Sequence, residues 1–159
     1  MLTFSRNKPL DLLFQPVPIA PLATFRVLFG GVMFAGMVRF MAKGWVYDLY
    51  VKPTFYFTYY GFEWVKPLGA FGMYALFTAV ALSAFLVMIG LAYRVASVAF
   101  LLGFTYIELI DKTNYLNHYY FVTLVSFLMA LLPAGRCFSV DAWRRPALRR
   151  THVPRWMVG

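Results

Sequence analysis

Residues 67–93 contain no Asp, Glu, Lys, Arg or His, and most of them are apolar. A helix needs about 20 mostly apolar residues to cross roughly 30 Å of hydrocarbon. This run is long enough to do so. Residues 27–38, 95–107 and 119–135 are also free of charge, each bracketed by Arg, Glu or His. The chain is 62% hydrophobic and 13% charged, against about 45–50% and 25% for soluble domains. The pattern predicts an all-α fold: an integral membrane helical bundle with four transmembrane helices near 19–41, 69–90, 94–111 and 116–133. Residues 1–159 read as a single transmembrane domain, with 136–159 as a basic tail.

The expected boundaries have local causes. Pro16, Pro18 and Pro21 crowd the start of the first helix, where proline is tolerated. "GLAYR" at 90–94 reads as a tight turn, and Pro133 and Gly135 close the fourth segment. Small residues at Gly30, Gly31, Gly36, Ala79, Ser83 and Ala84 offer surfaces for close helix packing. The opening "MLTFSRNKPLDLLFQPVP" has charges and prolines where a signal peptide needs an apolar core. Cys137 is the only cysteine, so no internal disulfide is expected.

Four spans place the N-terminus, the Arg94 turn and the C-terminal tail on one side. That side carries Arg6, Lys8, Arg94, Arg136, Arg144, Arg145, Arg149, Arg150 and Arg155. The other carries Lys43, Lys52, Lys66 and Lys112. By the positive-inside rule the termini are cytoplasmic. The expected location is a bacterial inner membrane, crossed several times. The basic tail is then a flank that can hold anionic lipid headgroups, and the net charge of +9 does not imply a nucleic-acid partner. There is no phosphate-binding glycine loop, no nucleophile elbow and no Cys/His cluster for a metal.

Polar residues concentrate in "DKTNYLNHYY", residues 111–120. Glu108 and Asp111 share one face of the third helix's last turn, where the helix dipole disfavours carboxylates. They want a cation, either Lys112 at i+4 or Arg39. Asn117 can cap the fourth helix. His118 titrates near neutral pH and can accept or donate a proton. Arg26 lies roughly 10 Å inside the first helix; it either snorkels to the interface or pairs within the bundle. Residues 45–64 form a loop rich in Tyr, Trp and Phe. These anchor at the headgroup level or wall a slot for a flat apolar cofactor such as a quinone.

Several segments together resemble the N-terminal membrane domain of vitamin K-dependent gamma-glutamyl carboxylases, the HTTM (horizontally transferred transmembrane) domain. They are "LATFRVLFG", "GLAYRVASVAFLL", "LIDKTNYLNHYY", "FSVDAWRRP" and "HVPRW", in the family's order. The resemblance implies oxidation of vitamin K hydroquinone (or menaquinol) by O₂, coupled to gamma-carboxylation of a peptide glutamate, a lyase activity. It places Asn117 and His118 in the hydroquinone pocket as catalytic residues, with Asp111, Lys112 and Thr113 shaping the same pocket. The family's base lysine lies beyond the His-Val-Pro-x-Trp segment and has no counterpart in this chain. The resemblance therefore implies a fragment or a shortened member, needing a further C-terminal part to act on a peptide substrate. The alternative from the residues is a non-catalytic, DoxX-like four-helix subunit of a quinone or redox complex.

Overall fold

The computed structural model describes residues 13–114 and 116–158. The expectations for residues 1–12, among them the charges of Arg6 and Lys8, lie outside the described residues, as does Tyr115. Four apolar helices form the body: α1 (Ala20–Ala42), α3 (Gly69–Ile89), α4 (Tyr93–Ile110) and α5 (Asn117–Leu131). A short helix α2 (Trp45–Tyr50) lies in the aromatic loop, and α6 (Val140–Arg144) follows the last long helix. Each long helix falls within a residue or two of its expected bounds.

Three of them, α1, α3 and α4, are long and apolar enough to cross a membrane. The fourth is shorter than expected. Its 15 residues span about 22 Å at 1.5 Å per residue, less than the hydrocarbon thickness. The cause is Pro133, which pushes the residue before it out of the helical region. Leu132 is extended, at φ −80° and ψ 146°.

Why α1 and α3 meet is written in one glycine. Gly30 is buried against α3, where a Cβ would lie 2.6 Å from the Met88 nitrogen and 2.9 Å from the Ala84 carbonyl oxygen. Only a bare Cα lets the backbones approach so closely. Along the row, α1 packs on α3, α3 on α4, and α4 on α5. Large apolar side chains such as Leu28, Val32, Phe71, Leu82, Val95, Leu102, Phe121 and Leu128 remain exposed around this row. In water that surface would be a liability; in lipid it is the expected exterior.

The two ends of the bundle are built differently. At one end a two-stranded antiparallel ribbon joins β1 (Pro16–Pro18) to β2 (His152–Pro154), with Val17 opposite Val153. The start of α1 and the tail that follows α5 therefore lie together, with the 90–93 turn, at the ribbon end. Here the tail segment replaces missing helix caps. Asp141 accepts hydrogen bonds from the Ala92 and Tyr93 amides, both at 3.0 Å, and so caps α4. Ser139 accepts from the Ala142 amide at 3.0 Å and caps α6. Arg94 donates to the Ala130 carbonyl at 2.9 Å.

Arg26 does not snorkel. Its side chain is fully buried, and Nη2 donates to the Phe138 carbonyl oxygen at 2.6 Å. Its partner is thus a backbone oxygen from the tail. Gly90, at φ +70°, lies over it: a Cβ there would collide with Arg26 Nη1 and Ser139 Cβ. A positive φ and this close approach both require glycine.

Candidate functional site

At the opposite end, α1 and α5 make little direct contact. The gap between them is a narrow cleft enclosing about 30 Å³, floored by α3 and α4 and flanked by α2. Its walls are Met37, Phe40, Tyr50, Phe77, Phe104, Ile107 and Tyr119. Phe40 stacks on Phe77 with ring centroids 5.1 Å apart, and Tyr119 meets Phe104 edge-on at 6.0 Å. Glu108, Asp111 and Asn114 bring polar atoms to the same cleft. An adjoining groove is lined by Trp45, Leu49, Thr113 and Leu116, and it shares Phe40, Tyr50, Asn114 and Tyr119 with the cleft.

The aromatic loop is strapped over this end. The Phe57 amide donates to Asp111 Oδ1 at 3.4 Å, and the Phe57 carbonyl accepts from the Lys112 amide at 2.9 Å. Asp111 Oδ1 also accepts from the Thr113 amide at 2.9 Å, the Asx-turn use of a short carboxylate. Tyr106 donates to the Lys66 carbonyl at 2.9 Å. Asp111 therefore ends α4, turns the chain and holds the loop.

The expected ion pairs are not formed. Lys112 is exposed and makes no ion pair with Glu108; Arg39 makes none either, and no carboxylate–cation contact within 4 Å occurs among the described residues. The physical reason is that α4 ends too soon. Asp111 is extended, at φ −146° and ψ 115°, so Lys112 is not one helical turn beyond Glu108. Glu108 Oε2 instead accepts a hydrogen bond from the Thr123 hydroxyl on α5. Its other oxygen, Oε1, is buried and has no partner. Thr123 was absent from the sequence-based candidates, although it lies at a comparable distance from the α4–α5 turn.

Nor does Asn117 cap α5. The N-cap residue is Leu116, without a side-chain hydrogen bond, and Asn117 is already in the first turn. Asn117 and His118 are exposed. The His118 ring meets Tyr119 at 4.6 Å, so it stands beside a cleft residue while the cleft walls themselves are aromatic and acidic side chains. Of the sequence-derived site residues, Asp111 lies in the cleft, Thr113 in the adjoining groove, and Lys112, Asn117 and His118 on the surface around them. Tyr50 was missed as a wall residue. It is buried, and that burial, with Tyr119, Asp111 and Glu108 nearby, pushes its phenol above the usual range. It stays a neutral hydrogen-bond donor at any physiological pH.

The fold and the lipid-facing exterior define a multi-pass α-helical membrane protein with one aromatic cleft at the end of its bundle. Residues 14–159 match the HTTM domain. The chain belongs to that family, the membrane domain associated with vitamin K-dependent carboxylase-like proteins. No solved structure matches the chain significantly.

Proposed function

We propose that the cleft between α1, α4 and α5 binds a quinol of the vitamin K or menaquinol type, with its flat ring between the aromatic walls. One observation carries the reading: the cleft joins aromatic walls to carboxylate and amide groups at a single end. A hydroquinone needs that combination, apolar contact for the ring and hydrogen-bond partners for its hydroxyls. Phe40, Phe77, Phe104 and Tyr119 would hold the ring; Glu108, Asp111 and Asn114 would meet its polar edge. In the carboxylase-like family, oxidation of the quinol supplies the strong base that the reaction needs. His118 and Asn117, beside Tyr119, then stand at the mouth, where an imidazole can pass a proton to solvent.

The ribbon end, with Arg94, Arg136, Arg144, Arg145, Arg149, Arg150 and Arg155, is read as cytoplasmic and in contact with anionic headgroups. The cleft then opens toward the opposite face. A non-catalytic quinone-binding subunit is the second reading, favoured by the exposure of Asn117 and His118.

The test is binding of a menaquinol analogue to the purified chain in nanodiscs, beside Phe77→Ala and His118→Ala. The wild type binds, Phe77→Ala loses most of the affinity, and His118→Ala loses several-fold. No binding by the wild type refutes the proposal. Binding unchanged in His118→Ala, but lost in Phe77→Ala, favours the non-catalytic reading.

A further inference from the structure

At the ribbon end α5 stops early, and the chain after it turns aside from the first turn of α4. A cavity of about 230 Å³ opens there, between Arg94 and Val95 on α4 and Pro133 and Arg136 after α5. Val95 is exposed on the lipid side, so a molecule in the bilayer can enter laterally. Both arginines are held in place. Arg94 Nη1 donates to the Ala130 carbonyl at 2.9 Å, which uses one of the five N–H donors of a guanidinium. Arg136 is fixed through its backbone: its amide donates to the Pro133 carbonyl, and its carbonyl accepts from the Arg150 amide, both at 3.1 Å. A more open cavity of about 460 Å³ adjoins the first, sharing Ala92 and Asp141 with it and adding Arg144 and Arg145. Asp141 is the acid on both walls, and its two oxygens are committed to the Ala92 and Tyr93 amides. Four guanidinium groups thus face one carboxylate that is already hydrogen-bonded, a surplus of three positive charges (4 − 1).

We infer that these adjoining cavities bind the headgroup of a phospholipid that carries two phosphates, one between Arg94 and Arg136 and the other between Arg144 and Arg145. The inference rests on the reading of the ribbon end as a headgroup contact, narrows it to four arginines, and needs nothing in the aromatic cleft. Guanidinium groups hold phosphate oxygens through paired N–H donors, and basic pockets between spanning helices suit lipids with more than one phosphate. A lipid with a single phosphate fills one cavity and leaves the other pair of arginines without an anion. A soluble phosphate leaves Val95 and Pro133 uncovered, whereas the glycerol and acyl carbons of a lipid lie against them.

The test is native mass spectrometry of the purified chain released from nanodiscs that hold equal amounts of diphosphatidylglycerol, phosphatidylglycerol and phosphatidylcholine. The wild type should retain one diphosphatidylglycerol, about tenfold more often than phosphatidylglycerol. Arg144→Gln with Arg145→Gln, at two exposed positions, should spare the fold and bring diphosphatidylglycerol down to the level of phosphatidylglycerol. Arg94→Gln with Arg136→Gln should do the same. Arg150→Gln with Arg155→Gln removes the same charge from the same end, outside both cavities, and should leave the preference in place. If the wild type retains the two anionic lipids equally, or if Arg150→Gln with Arg155→Gln loses as much as the cavity variants, the two-phosphate site is overturned while the general headgroup contact stands. Displacement of the lipid by sodium phosphate would make the ligand a soluble anion and overturn the lipid assignment. If the wild type retains neither anionic lipid over phosphatidylcholine, this inference and the headgroup reading fall together.

Discussion

Two glycines in α1 give opposite expectations for the same substitution. Gly30 and Gly36 both lie inside the helix, so an added methyl carries a similar intrinsic helix effect, at most about 1 kcal/mol in favour of Ala. Their surroundings differ. At Gly30 the new Cβ would lie 2.6, 2.8 and 2.9 Å from Met88 N, Met88 Cα and Ala84 O. At Gly36 nothing lies within 4 Å. Ordinary contact begins near 3.4 Å, so the worst shortfall at Gly30 is 3.4 − 2.6, or 0.8 Å. All three obstacles are backbone atoms of α3, and none can rotate away. The helices must part by that order of distance, at the roughly 1–3 kcal/mol typical of overpacking. The parting also separates Phe40 from Phe77, which stack across the same interface at 5.1 Å. Reversible unfolding in mixed micelles, followed by tryptophan fluorescence, measures both variants. Gly36→Ala should match the wild type or exceed it slightly, and Gly30→Ala should fall about 1–3 kcal/mol below Gly36→Ala. Equal stabilities would refute the reading of Gly30 as the closest approach of α1 and α3.

Other perturbations test other joints. Thr123→Val strands both Glu108 oxygens and should cost about 1–3 kcal/mol. Adding Glu108→Leu should recover much of it, and a double-mutant cycle with no coupling would remove that pair. Asp141→Ala takes the cap from the Ala92 and Tyr93 amides and should destabilise by about 1–2 kcal/mol. The first symptom should be faster reaction of buried Cys137 with a thiol reagent. Asp111→Ala releases Phe57 and Thr113 from their shared acceptor, so limited proteolysis should cut the 51–66 loop sooner while α3 and α4 stay protected. A cysteine at Lys52 in a Cys137→Ala background should react with a membrane-impermeant maleimide from outside intact cells; labelling only after lysis would invert the proposed orientation.

The helices were legible because charge and proline mark their ends: Arg94 follows the turn at Gly90, and Pro133 ends α5. Gly30 was legible as a packing surface, though only the structure separates it from Gly36. The ribbon was not legible. Its strands are three residues each and mostly proline or β-branched, and they meet across almost the whole chain. No local period announces such a pair. The Glu108–Lys112 pair failed for a definite reason. Helical spacing was carried through Asp111, but a short carboxylate that captures Phe57 and Thr113 amides favours a turn over another helical residue. One residue of lost helix replaced an ion pair with a hydrogen bond across to α5.

That substitution bears on where chemistry can occur. Both ends of the bundle contain a buried ionisable group with unpartnered atoms, Arg26 at one and Glu108 at the other. They are not equivalent. Arg26 is held by the Phe138 carbonyl and lies under Gly90 with no room for a Cβ. A ligand could reach it only by displacing the turn that caps α3 and the tail that caps α4. Its position is fixed by the backbone, and its role is to join α1 to the tail. Glu108 lies on the wall of a cleft among aromatic rings, and its unpartnered oxygen is shielded from solvent. A ligand there needs no helix cap to break. The same kind of unsatisfied group is thus a structural pin where the backbone closes over it and part of a cleft wall where side chains surround it.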